Sequence, residues 1–431
     1  MRSDPRSSPM RHIRVSLVAA VLLAAACSSD APDPSSDATW VGTITTEGDV
    51  TTVVNESGSV WGGAATLVKE VSIGVEAGDE PYMLGVVEGI AARGDRIYVL
   101  DRQVPALRVY DLDGRHVADF GGKGGGPGEF DVPFGLAVAP DGRIFVRDTR
   151  QGRINVYDES GDPVATFPIA PTYFTSSPMV ATVDGTVYTE AVVDGAPGSP
   201  ERRTGLQGFR PDGSPTEVVP EPDFGLERQR VVVRRGGGSG TFPVPFSPFS
   251  VWALAPSGAM VGGAGDAYRF EVRYPGGELL VVRREVTLVA VDPDEADYYR
   301  RSFRERIDRA ARDGGTIEGA DPDAIPAVKP AFGGFVAGHE GTVWALRDGP
   351  SEYLPDCGGE AGDDPCWRRT MIIDAFGADG RFLGELDIPE GMQLYPQPYI
   401  RGDMIIAAFE DEAGTPMVKR YRLVLPGMEE R

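Results

Sequence analysis

"RIYVLDRQVPALRVYDLDGRHVADF" (Arg96–Phe120) and "RIFVRDTRQGRINVYDESGDPVATF" (Arg143–Phe167) align without a gap at a spacing of 47 residues and are identical at 11 of 25 positions. The identities include the pairs Asp101/Asp148, Tyr110/Tyr157 and Gly114/Gly161. Each copy reads as short strands rich in Val, Ile, Tyr and Phe, separated by turn residues. An inner strand ends in a tight turn, a second strand ends in Asp, a third ends in a turn with Gly, and an outer strand follows. The turn between the first two strands recurs at Gly94-Asp95, Asp141-Gly142, Asp184-Gly185, Ser257-Gly258, Glu340-Gly341 and Gly402-Asp403. Glycine suits such hairpins because their backbone needs φ > 0.

A repeat of this period built from short strands is the pattern of a β-propeller, and six turns predict six blades. The last unit, "RGDMIIAAFEDEAGTPMVKRYRLVL", ends without an outer strand. Ala65–Gly74, "ATLVKEVSIG", is unpaired and is expected to supply it, which would close the ring and remove an exposed edge.

Between the first two copies runs "FGGKGGGPGEF" (Phe120–Phe130), a glycine run that invites comparison with a phosphate cradle. A P-loop requires Ser or Thr after its Lys and a helix behind it. Here Lys123 is followed by Gly, and strand patterns follow, so the run is read as a connector. With its flanks it resembles an NHL repeat, whose pattern runs Phe-Gly, Gly-x-Gly-Pro-Gly-x-Phe, Pro, Asp-Gly, Asp and Arg-Ile. That resemblance implies an all-β, six-bladed NHL-like propeller over residues 65–425, with the glycine run crossing from one blade to the next. Together with the N-terminal segment, the chain resembles bacterial propeller lipoproteins.

That segment carries Arg2, Arg6, Arg11 and Arg14 before "VSLVAAVLLAAA", a pattern of an export signal too short to span a bilayer. It ends in "LLAAAC", which resembles a lipobox with Cys27 as the lipidated residue. Residues 1–26 are therefore read as a signal peptide, 27–39 as a tether, 40–64 as a lead-in hairpin and 426–431 as a tail. The expected location is the cell envelope, with Ser28 resembling outer-membrane sorting. The net charge is −23, and loss of a net +3 with residues 1–26 brings the mature chain near −26. Such a chain repels phosphate backbones, so nucleic acid is not an expected partner.

With Cys27 lipidated, Cys357 and Cys366 remain, inside an insertion read at 348–369. An oxidising compartment lets them pair, with a contribution of about 2.5–3 kcal/mol from so short a loop. A metal site is the alternative, but no His or third thiol lies nearby in sequence. One helix is predicted over 292–313, with Asp292 as N-cap, Pro293 at the first position and Gly314 beyond the end. Its expected i,i+4 pairs are Asp297/Arg301, Glu305/Arg309 and Asp308/Arg312, and it is expected to pack against one end of the propeller.

Propellers bind ligands where the inner strands start. Five of those starts place Pro before a large apolar residue: Phe134, Met179, Phe249, Phe332 (after Pro330-Ala331) and Tyr399. Blade one departs, with Glu88. These six residues are the candidate ligand site, an apolar mouth without a metal or other cofactor; proline's tolerance at a first strand position is the competing structural explanation. Six-bladed folds also include calcium-dependent lactonases, strictosidine-synthase-like hydrolases and, among relatives of NHL propellers, peptide-amidating lyases. Metal-holding members need several carboxylates or His converging on the axis. Here Glu88 stands alone, His12 lies in the signal, His116 begins an outer strand and His339 sits in a turn. No nucleophile elbow or carboxylate pair is visible, so no catalytic residue is assigned. The reading is a binding or scaffolding module for a protein or small ligand, with a propeller hydrolase or lyase as the alternative.

Overall fold

All six turn glycines take positive φ, from 58° at Gly402 to 94° at Gly142. Each therefore folds two neighbouring strands into a hairpin, and the hairpins extend into four-stranded antiparallel blades. The computed structural model describes residues 39–169, 177–195, 203–236, 238–312, 314–321, 323–355 and 367–427.

Blade one comprises Val87–Arg93, Arg96–Asp101, Ala106–Asp111 and His116–Phe120, and blade two Pro133–Val138, Ile144–Asp148, Arg153–Tyr157 and Pro163–Pro168. Blade three comprises Val180–Ala181, Val187–Asp194, Arg203–Phe209 and Pro215–Pro220. Blade four has Val251–Leu254, Met260–Gly263, Arg269–Arg273 and Leu279–Arg284; blade five has Gly334–Ala337, Val343–Asp348, Met371–Phe376 and Phe382–Leu386. Blade six takes Tyr399–Arg401, Met404–Glu410 and Pro416–Val424 from the C-terminal region and its outer strand, Thr66–Ile73, from near the N-terminus. That strand runs antiparallel to its partner from Thr66↔Val424 to Ile73↔Val418, so the ring closes between distant parts of the chain.

The lead-in forms a hairpin, Val41–Glu47 and Val50–Ser57, whose second strand adds in parallel to the outer edge of blade four, from Val50↔Leu279 to Asn55↔Arg284. Asn55 secures it. Its Nδ2 donates to the carbonyls of Arg283 (3.0 Å) and Gly380 (3.1 Å), and its Oδ1 accepts from Phe382 N (2.6 Å) and Trp40 Nε1 (2.7 Å). Val53, fully buried, joins the core between blades four and five.

The helix spans Pro293–Ala311, with Asp292 accepting from Asp294 N (2.8 Å) and Glu295 N (3.4 Å). Its apolar face does not rest directly on a blade. Phe303 and Ile307 pack with Val231, Val233 and Val244, in a second insertion whose strands Arg230–Arg235 and Gly238–Pro243 make a small sheet with Thr316–Gly319. A run of Val at 231–233 beside the blade pattern forms this platform, which the helix then covers. The expected i,i+4 pairs are also replaced. Asp297 pairs with Arg300, and Arg304 with Asp323, because Asp323 lies beside the helix in the folded chain.

Candidate functional site

In an antiparallel blade, the connections alternate between the two ends. At the end where the inner strands finish, they are two to five residues long. At the end where the inner strands start lie the long ones: 221–250, 285–333 and 349–370, together with the shorter 74–86, 121–132 and 387–398. Long connections on one end of a rigid ring are where binding residues concentrate.

The recurring aspartates organise this end. Asp148 is fully buried, and its carboxylate accepts from Asp131 N (2.6 Å), Val132 N (3.3 Å), Arg150 N (3.1 Å) and Gln151 N (3.0 Å). Asp101 does the same for Gly85, Val86, Gln103 and Val104. One side chain at the end of the second strand thus ties down both its own turn and the segment entering the inner strand of the same blade. This is a structural role, as recurrence at equivalent positions suggests.

The inner strands of all six blades line a narrow central channel of about 130 Å³. Glu88 stands at its mouth, only 5% exposed. One carboxylate oxygen takes Arg102 Nε at 2.6 Å and the other takes the Tyr395 hydroxyl at 2.6 Å. Burial, then the bond to Glu88, pushes the Tyr395 phenol up, so it holds its proton at neutral pH. Tyr395 enters from the connection before blade six, bonds to blade one, and places its ring 6.3 Å from Phe134 of blade two. It is 42% exposed, and the Arg102 guanidinium lies 5.8 Å from the Phe134 ring. Beneath them Arg147 is buried, donating from Nε to Phe134 O (2.7 Å), from Nη1 to Thr189 Oγ1 (2.6 Å) and from Nη2 to Ser177 O (3.0 Å). Burial lowers its pKa to about 10.

The Pro-plus-apolar residues do not share one environment. Phe134 is partly exposed at the mouth, and Phe249 is half-buried, with the Arg228 guanidinium 3.9 Å from its ring centroid. Met179 and Tyr399 touch the channel, but most of their surface lies in the seams between blades two and three and between blades six and one. Phe332 corrects the expectation. It is fully buried between blades four and five, with its ring 4.7 Å from Phe335. Phe134 follows its Pro directly and lies inside its strand, whereas Phe332 comes two residues after Pro330, ahead of the strand that starts at Gly334, and its ring packs against Tyr268, Phe270 and Phe335. Tyr395, Arg102 and Arg147 carried no sequence signal, although "LYPQPYI" (Leu394–Ile400) marks a constrained connection. Cys27, Cys357 and Cys366 lie outside the described residues. Among the described residues no group of three or more His, Cys, Asp or Glu side chains is arranged to hold a metal.

Residues 78–172 match the model of a family described as a 6-bladed β-propeller. The crystal structure of a member of the DUF4221 family from Bacteroides vulgatus is similar over 84% of this chain and 98% of that one, at 9% identity and a TM-score of 0.50. The chain is a six-bladed β-propeller. More distant is virginiamycin B lyase from Staphylococcus aureus, at 11% identity over 78% of this chain and 95% of that one, with a TM-score of 0.33. No curated protein matches the chain significantly. At these identities the likeness concerns the fold, and the propeller's chemistry has to be argued from its own side chains.

Proposed function

We propose that this propeller is an envelope lipoprotein that captures a protein or small ligand at its channel mouth. The observation that carries the reading is the asymmetry of the two ends. Tight glycine turns close one end, while every long connection surrounds the mouth, where Tyr395 and Phe134 are presented beside the half-buried Arg102 and above the buried Glu88 that it pairs with. An aromatic pair held by buried polar partners offers contact area at small entropic cost, as binding surfaces require. The mouth's carboxylate is engaged by a guanidinium and a phenol, which suits positioning more than proton transfer. Attachment through Cys27, with 27–39 as tether, would hold the module at the membrane; two or more acyl chains make such anchoring stable.

The test has two arms. Cys27→Ser should move the protein from the membrane to the soluble fraction, and retention in the membrane fraction would remove the anchor. Phe134→Ala with Tyr395→Ala should abolish recovery of a specific partner from the protein's own envelope while the thermal transition survives. Unchanged recovery would move the binding surface off the mouth.

A further inference from the structure

The outer strand of a propeller blade presents a free backbone edge, and five of the six blades here protect theirs. Blade one carries His116 and Asp119 on its outer strand. Those of blades two and three, Pro163–Pro168 and Pro215–Pro220, are bracketed by prolines. Blade five is covered by the segment before Thr66, through Val60 N to Phe382 O (3.0 Å), Trp61 N to Leu383 O (2.8 Å) and Ala65 N to Glu385 O (2.8 Å). Blade six has Lys69 and Glu70 at a break in the register of its outer strand. Blade four is extended by the lead-in hairpin, so its edge is Val41–Glu47, the last strand of a six-stranded sheet. That strand, VGTITTE, has no proline and no cation, and its one charge, Glu47, stands at its end.

The hairpin turn fixes which backbone groups face outward. Gly48 has a φ of 59°, and Glu47↔Val50 closes a two-residue turn. The closing pair of such a turn is hydrogen-bonded, and bonded pairs alternate along the ladder. Thr45 and Thr43 therefore bond inward, to Thr52 and Val54, while the N–H and C=O groups of Thr46 and Ile44 point away from the sheet. The Thr46 and Thr51 hydroxyls meet at 3.1 Å, as side chains of a non-hydrogen-bonded pair do. Ile44 is 51% exposed and Val41 50%, so apolar surface accompanies this edge.

The strand is its own complement. Two copies laid antiparallel about a two-fold axis at Ile44 set Ile44 against Ile44, Thr43 against Thr45 and Val41 against Glu47, with all seven residues overlapping. Thr–Thr pairs and paired β-branched side chains are favourable across strands. The two Glu47 carboxylates fall at opposite ends, about 20 Å apart, so no like charges oppose. The edge lies outermost on blade four, so the two rings meet rim to rim. The described chain begins at Thr39, two residues before the strand. With Cys27 as the anchor, the intervening residues reach at most about 43 Å, which holds this edge near the membrane in every copy. Copies confined to one membrane meet at a raised effective concentration.

We infer that Val41–Glu47 is a homodimerisation edge, where two copies of this chain join their blade-four sheets antiparallel about Ile44. The occupant is a second copy because the register matches itself, and an isologous pair satisfies both edges at once. The concentration argument rests on the anchor reading; the register does not.

Ile44→Cys in the otherwise intact lipoprotein tests the pairing in the envelope. A hydrogen-bonded antiparallel pair holds its Cα atoms about 5.5 Å apart, within disulfide reach. Mild oxidation should join two chains at position 44, as mapped on non-reduced peptides. Adding Thr46→Pro removes an outward N–H, leaves the inward ladder intact and should cut this crosslink at least about tenfold. On the soluble Cys27→Ser protein, sedimentation equilibrium should show a reversible dimer. Ile44→Lys and Ile44→Glu should each weaken it at least about tenfold, because like charges then meet on the axis, and mixing the two variants should restore it. A hairpin that had merely unfolded could not be restored by mixing. Absence of a crosslink at position 44, a crosslink that Thr46→Pro leaves unchanged, a mixture that associates no more tightly than either variant alone, or position 44 joined to a different protein would each overturn the proposal. If the Cys27→Ser protein stays in the membrane fraction while the crosslink forms, the anchor reading fails and the strand pair stands.

Discussion

Replacing Asp148 by alanine removes the acceptor of four backbone N–H groups from a fully buried position. Hydrogen bonds to a charged group contribute about 1.5–3 kcal/mol each. Arg150 and Gln151 lie in the turn after the strand, where water can replace the lost acceptor. Asp131 and Val132 lie in the segment entering the inner strand, with less access to water. Counting only those two bonds as unrecovered gives a loss of about 3–6 kcal/mol, in the upper range for single substitutions. With an unfolding entropy of about 2.1 cal/mol/K per residue, a chain of this length should lose about 5 °C in its thermal midpoint. Asp148→Asn keeps one acceptor oxygen but turns an amide donor toward a backbone donor, so about half the loss is expected. Asp95→Ala, in an exposed turn, is the control, with an effect below about 0.5 kcal/mol. Differential scanning calorimetry of the three variants decides the matter. If Asp148→Ala melts within about 1 °C of the parent, the carboxylate does not pin the blade. The same substitution should loosen Val132 and so weaken ligand capture at Phe134.

The remaining expectations are shorter. Deleting residues 28–39 should leave stability nearly unchanged, whereas deleting 28–74 removes the outer strand of blade six and the hairpin on blade four, and should cause aggregation through the bared edges; a soluble, cooperatively melting 28–74 deletion would refute closure as the source of stability. Burial, reinforced by Arg401, holds the His339 pKa below its ordinary value of 6.5, so the unfolded chain takes up the proton first. Stability should therefore fall as pH drops through 6.5, and His339→Gln should lose less of its thermal midpoint between pH 7.5 and pH 5 than the parent does; identical losses would exclude this group. Non-reducing peptide mapping of protein from the envelope should join Cys357 to Cys366, and free thiols at both positions would end that idea.

The sequence alone carried the blade count. Strand periodicity, a 47-residue repeat and glycines with obligatory positive φ are local properties, so Gly94, Gly142 and their four counterparts announce hairpins wherever those hairpins later pack. It also pointed to ring closure, because a lone alternating strand near Ala65 had no other partner to satisfy its backbone. The charge balance and the Asp101/Asp148 recurrence were equally legible, since each rests on composition or on position within the repeat. The tertiary structure decided what depends on volume and on distant contacts. Pro330-Ala331-Phe332 and Pro133-Phe134 look alike in one dimension, but the aromatic cluster of Tyr268, Phe270 and Phe335 takes Phe332 into a seam, while Phe134 stays at the mouth beside Tyr395. The hairpin's position on blade four and the reach of Tyr395 to Glu88 have no one-dimensional signature. Each is set by how surfaces far apart in the chain meet, and close packing is a property of the pair of surfaces and not of either strand.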